Sequence, residues 1–121
     1  MKSDLHFLTI AEASQQIKAR TLSPVEYVDH LAKRVETIDP QINAFITPTF
    51  ELAREQAKKA EAEIASGNYR GPMHGIPYGA KDIYETAGIL TTGGSRIAQH
   101  HVPKRDSVVI SKMRDAGAVL L

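Results

Sequence analysis

Cysteine does not occur in these 121 residues. Its absence excludes disulfide bonds, a thiolate nucleophile and cysteine-ligated zinc. Long apolar runs are also missing, and nothing approaches the roughly 18 consecutive apolar residues expected of a membrane-spanning helix. The N-terminus, Met1-Lys2-Ser3-Asp4-Leu5-His6, lacks the apolar core of a secretory signal. A cytoplasmic location is therefore the default expectation. Charge of one sign is not in excess either: 15 Lys and Arg face 14 Asp and Glu, for a formal charge of +1. That balance leaves no electrostatic footprint for nucleic acid or for an anionic membrane, and neither is expected as a partner. Internal repeats, low-complexity tracts and domain linkers are absent as well. What remains, 42% apolar and 24% charged residues, is an ordinary globular composition long enough for one domain with a core.

Four helices carry start signals. Thr9-Ile10-Ala11-Glu12 fits a capping box and predicts a short helix to about Ala19. Ser23-Pro24-Val25-Glu26 opens a second, with proline at the first helical position and a stripe of Val25, Val28, Leu31, Ala32, Val35 and Ile38. Pro40 is expected to end it. A third helix starts near Thr47 or Thr49 and runs to about Ser66, with Gly67 as its cap and Ala53, Ala57, Ala60 and Ile64 facing inward. Asp106 is expected to cap a fourth, residues 107–116, whose apolar face is Val109, Ile110, Met113 and Ala116.

From residue 70 the character changes, and glycine and proline punctuate a short predicted strand over 76–80. Gly117 closes the fourth helix and residues 118–121 read as a second strand, so strand, connection, helix and strand predict a parallel βαβ unit. A continuous apolar strand expects neighbours on both edges. The sequence thus reads as an incomplete domain, helical over 1–69 and opening an α/β core over 70–121. A bare strand edge predicts a weakly stable or self-associating species.

The residue that stands out is Lys81, in the Lys81-Asp82 pair at the end of the predicted 76–80 strand. Alternation along a strand places it on the side of Pro77 and Gly79, where steric bulk is low, while Asp82 faces the other way. A lysine held in a glycine-lined pocket is a candidate base, because desolvation disfavours an ammonium. The competing reading is a strand-end lysine that reaches out to water.

The wider pattern decides between them. Gly71-Pro72-Met73-His74-Gly75-Ile76-Pro77-Tyr78-Gly79-Ala80-Lys81-Asp82, then Thr86-Ala87-Gly88, Thr91-Thr92-Gly93-Gly94-Ser95, and 106–121 closely resemble the amidase signature family. Ser23-Pro24-Val25-Glu26 and Asn43-Ala44-Phe45 resemble that family's helical N-terminus. The resemblance implies an α/β/α fold whose N-terminal helices lead into the first strands of a mixed sheet, truncated here at Leu121. It also implies cleavage of a carbon–nitrogen amide bond by a Ser–cis-Ser–Lys triad, without metal or cofactor, on a small-molecule amide. Position 81 matches the family's catalytic lysine, which takes a proton through a bridging serine so that a second serine attacks the carbonyl. The family's two serines lie in a downstream Gly- and Ser-rich loop that does not occur in this chain. With one triad member of three, the isolated chain is expected to be inactive.

Other residues take lesser roles. Thr92, Gly93, Gly94 and Ser95 are expected to support the pocket wall near Lys81. Ser95 lacks the Gly-x-Ser-x-Gly elbow of a nucleophile. His74 is expected to fix the turn before the strand, and His100-His101 lack metal-ligand spacing. Tyr78 and Tyr84 read as core or pocket-wall aromatics. Gly79, where many relatives carry a bulky aliphatic, and Ile83, where tRNA-dependent amidotransferase subunits often carry Asn, favour a general amidase over such a subunit. A naturally short, non-catalytic binding or assembly protein is the third reading.

Overall fold

The computed structural model describes residues 2–121, in the order of a 3-10 turn (Lys2–Phe7), helices α1 (Ile10–Lys18), α2 (Pro24–Ile42) and α3 (Phe50–Ala65), strand β1 (Pro77–Tyr78), a second 3-10 turn (Arg96–Ala98), helix α4 (Val108–Asp115) and strand β2 (Val119–Leu120). The local start signals act as the sequence indicates. The Glu12 N–H donates to Thr9 Oγ1 at 3.2 Å and the Thr9 N–H donates back to Glu12 Oε2 at 2.8 Å. Ser23 Oγ accepts from the N–H groups of Val25 and Glu26 at 3.1 and 3.2 Å. Both caps satisfy donors that have no intrahelical partner.

Helix α2 does not stop at Pro40 but runs on to Ile42. Proline in a last turn removes only one intrahelical bond, and the residues around it supply substitutes. Asn43 closes the helix in the left-handed conformation (φ 50°), donating to the Asp39 carbonyl at 2.7 Å. The Asp39 side chain then accepts from the Ala44 and Phe45 N–H groups at 2.7 and 3.1 Å. The predicted inward stripe of α3 is correct: Ala53, Ala57, Ala60 and Ile64 are all buried. Methyl-sized side chains let α3 lie close against α2, where Val28 and Ala32 are fully covered.

β1 and β2 pair in parallel, Pro77 with Val119 and Tyr78 with Leu120, and α4 forms the crossover between them. This is the expected βαβ unit with shorter strands than the apolar run suggested. The edge of β2 is not bare. The Leu120 N–H donates to Gln56 Oε1 at 2.8 Å and the Leu120 carbonyl accepts from Thr49 Oγ1 at 3.3 Å, both from α3 or its N-cap. Side chains of α3 thus occupy the backbone groups a neighbouring strand would take.

The fourth helix departs from expectation twice. Ser107, not Asp106, occupies its N-cap position, and it makes no side-chain cap bond. The Asp106 carboxylate instead accepts from the Ala87 N–H at 2.7 Å and ion-pairs with Arg114. Of the predicted apolar face only Ile110 is buried, while Val109 is 48% exposed. Met113 and Ala116 are only partly covered.

Two clusters make the core. Ala13, Ile17, Leu22, Tyr27, Ile64 and Ile76 join α1, α2, α3 and the approach to β1. Val28, Ala53, Ala57, Val119 and Leu121 seat β2 on the α2–α3 pair. No helix among the described residues is long and apolar enough to cross a membrane.

Candidate active site

Where β1 and β2 end, the chain opens into a cavity of about 610 Å³. Its walls are the connection after α2 (44–47), the segment 79–84, the turn around 89–94 and the end of β2. Lys81, Gly79, Gly93 and Gly94 all line it, so the glycine-lined surround predicted for Lys81 is present. No serine lines it among the described residues. The strand, however, stops at Tyr78, three residues short of Lys81, and Lys81 is exposed rather than buried. Parallel pairing with β2 ends at the Tyr78–Leu120 pair, so alternation cannot be carried through residue 81. The Lys81 side chain makes no ion pair or hydrogen bond among the described residues, and it stands free on the cavity wall.

Lys81 and Asp82 do not pair with each other, because Asp82 is held by the next turn. Asp82 Oδ1 accepts from the Thr92 N–H at 2.9 Å, its Oδ2 accepts from Thr92 Oγ1 and the Gly94 N–H (3.4 Å), and its backbone carbonyl accepts from the Gly93 N–H at 2.8 Å. Burial alone would push this carboxyl up. The converging Thr92 hydroxyl and the N–H groups of Thr92, Gly94 and Gly93 outweigh it and hold the group below its ordinary value. Of the four predicted wall residues, Gly93 and Gly94 line the cavity, and Thr92 reaches Asp82 from behind it. Ser95 lies outside the lining, where its Oγ accepts from the Ile97 N–H at 3.2 Å and caps the second 3-10 turn. Tyr84 is a wall aromatic, as expected. His101 meets Glu85 at 3.2 Å on the surface.

His74 does more than fix a turn. It is buried, its Nδ1 accepts from the Arg70 N–H at 3.1 Å and its Nε2 lies 3.0 Å from Glu63 Oε2. An accepting Nδ1 leaves the ring proton on Nε2, which donates to Glu63. Arg70 also pairs with Glu63 Oε1 at 2.6 Å and reaches the Asp115 carbonyl at 3.3 Å. Gly117 packs against the ring, and its carbonyl accepts from the Gly75 N–H at 2.9 Å. One histidine therefore ties α3, the turn before β1 and the turn before β2 together, which sets the register of the strands that frame the cavity. Sequence reading missed this hub, since its members lie 11 and 43 residues from His74. The Asp82 cradle was missed too, and its one signal was Thr-Gly-Gly ten residues after an aspartate.

Burial pushes the His74 ring below its ordinary value of 6.5, against the opposing pull of Glu63. The unfolded chain therefore takes up a proton near 6.5 that the folded chain resists, and stability falls as pH drops below that value. Glu63 acts lower on the scale. Burial raises its carboxyl, but the Arg70 hydrogen bond and charge and the His74 ring outweigh that and hold it below 4.5. The stability it contributes is present above the unfolded carboxylate range and is lost only as pH falls through the folded value. We expect the urea midpoint to decline from pH 7 to 5, and His74→Gln to flatten that decline. A midpoint that rises on acidification would mean a charged His74–Glu63 pair instead.

The family model described as Amidase matches residues 26–121. The A subunit of the glutamyl-tRNA(Gln) amidotransferase of Geobacter sp. (strain M21) is 43% identical over 114 residues, covering 94% of this chain and 23% of the relative. Among solved structures, a bacterial aryl acylamidase of the amidase signature family superposes with a TM-score of 0.88 at 28% identity, over 97% of this chain and 25% of that one. The native peptide amidase from Stenotrophomonas maltophilia superposes with a TM-score of 0.83 at 30% identity, over 93% of this chain and 23% of that one. The chain spans about a quarter of the length of the curated relatives it matches.

Proposed function

The chain belongs to the amidase family, and on that premise we propose that it is the lysine-bearing part of an enzyme that cleaves the carbon–nitrogen bond of a small-molecule amide. The observation that carries this reading is the free Lys81 side chain on the wall of a cavity of about 610 Å³, in the Lys-Asp pair that resembles the family's catalytic position. Lys81 serves as the base. It draws a proton through a bridging serine, the nucleophilic serine adds to the amide carbonyl, the amine leaves with a proton, and water resolves the acyl-enzyme. Both serines are supplied from outside residues 1–121, consistent with a cavity that no serine of the described residues lines. The apolar wall contributed by Phe45, Ile46, Leu90 and Leu121 suits the exclusion of water from an ester intermediate.

A second reading has its own support. Relatives 38 to 43% identical to this chain are glutamyl-tRNA(Gln) amidotransferase A subunits, a likeness that runs against the single-residue signals at Gly79 and Ile83. In that reading ammonia released from an amide is passed on rather than lost. The test compares the parent protein with the isolated 121 residues by ammonia release from simple amides and from glutamine. We expect the parent to release ammonia and the isolated chain to be silent. Glutamine hydrolysis that appears only with a co-purifying partner selects the amidotransferase reading, and a comparably active isolated chain overturns the shared-triad proposal.

A further inference from the structure

We infer that Asp82 and Thr92 form a clamp that positions Lys81 for catalysis, acting through the backbone without touching substrate. The inference rests on the reading of Lys81 as the base. A lysine side chain has many rotamers, and a base is effective only when its nitrogen is held in place. Lys81 has no side-chain partner to hold it, so its aim depends on where its backbone is fixed. On one side the backbone is fixed by β1, through the Leu121 N–H to the Tyr78 carbonyl at 3.0 Å. On the other side the Lys81 carbonyl accepts from the Tyr84 N–H at 3.0 Å, a bond internal to its own turn, and Asp82, the next residue, ties that turn to the rest of the wall through donors that all come from 92–94.

Closing the surface loop is the simpler role for such an aspartate, but the loop is closed without it. The Ser107 N–H donates to the Glu85 carbonyl at 2.7 Å, Gly88 to Pro103 at 2.9 Å and Thr91 to His101 at 3.0 Å, while Asp106 holds Ala87. What Asp82 alone fixes is the segment carrying Lys81 against Gly93 and Gly94, and those three residues line one cavity. The carboxylate accepts from several donors at once, which a carboxamide in its place cannot repeat, having one acceptor oxygen instead of two. The Thr92 hydroxyl is the only side-chain donor in the set.

The experiment uses the parent enzyme and steady-state amide hydrolysis, with hydrogen exchange at 92–94 as a second readout. Thr92→Val and Asp82→Asn are expected to lower kcat by about tenfold to a hundredfold with KM little changed, and to speed exchange at 92–94 while the α2 and α3 amides stay protected. Thr92→Ser restores the hydroxyl and is expected to restore kcat. A fully active Thr92→Val overturns the clamp, as does a Thr92→Ser as impaired as the valine variant or a loss confined to KM. Loss of protection throughout α2 and α3 replaces positioning with a global structural role and overturns it as well. Lys81→Ala separates the two levels. Activity retained in that variant sinks the base reading itself, whereas an inactive Lys81→Ala beside an active Thr92→Val sinks only the clamp.

Discussion

On the proposed reading of Lys81 as the base, Lys81→Ala in the full-length protein is expected to lower amide hydrolysis by roughly 10³-fold or more, because a base and its serines act as one unit. The loss belongs in kcat. Lys81 stands on the wall of a cavity whose other contributions from this chain are largely apolar or glycine, so binding of a neutral amide does not depend on its charge. Lys81→Arg is the sharper variant. It keeps the positive charge and the reach, but a guanidinium does not give up its proton and cannot act as a base. It is expected to be as inactive as the alanine variant. Lys112→Ala, an exposed lysine on α4 away from the cavity lining, serves as the control for loss of a positive charge. The measurement is steady-state ammonia release for the three variants against the parent. If arginine at position 81 supports hydrolysis, charge rather than proton transfer is what the site needs, and the lysine is an electrostatic or solvated group.

What could be read in the sequence was what depends on neighbours along the chain. The Thr9–Glu12 box, the Ser23-Pro24 start and the Gly67 cap each need only three or four consecutive residues, and each holds. The alanine stripe of α3 follows from helical period alone, and all of it is buried. Errors begin where a residue has a distant competitor. Asp106 looks like a cap because nothing nearby in sequence shows that Ala87 and Arg114 will claim its carboxylate. Pro40 is a local error of another kind: the repair by Asp39 and Asn43 lies within the same turn, but it depends on how that turn closes and not on the proline itself. The β2 edge looks bare because Gln56 lies 64 residues from Leu120. The candidate site divides the same way. Lys81 and the wall glycines Gly93 and Gly94 were legible as a motif, whereas the clamp on Asp82 and the His74 hub exist only once the chain has closed on itself.

That hub makes Gly117 a sensitive backbone position, and Gly117→Ala is expected to destabilise the fold by about 2–5 kcal/mol. Two costs combine. Gly117 sits at φ +78° just past α4, where its N–H donates to the Arg114 carbonyl at 2.9 Å and the Ala118 N–H donates to Met113 at 3.0 Å, the paired bonds of a glycine-closed helix end. A side chain in that left-handed conformation costs about 1–2 kcal/mol. A Cβ at 117 would also lie 2.4 Å from His74 Cδ2, with Cγ and Nε2 each at 3.1 Å. The ring cannot yield, because it is buried and both of its nitrogens are engaged. Gly88 isolates the first cost: it has φ +76° and nothing within 4 Å of where a methyl group would sit, so Gly88→Ala carries the conformational penalty alone, about 1–2 kcal/mol. Urea unfolding of both variants gives the difference, which is the steric part. His74→Ala removes the obstructing ring, so the double variant His74→Ala, Gly117→Ala should lose less than the sum of the single losses, as contacting residues do. Strict additivity, or equal losses at 88 and 117, would mean that the ring does not press on Gly117. The register of β1 and β2 would then owe nothing to the contact between His74 and Gly117.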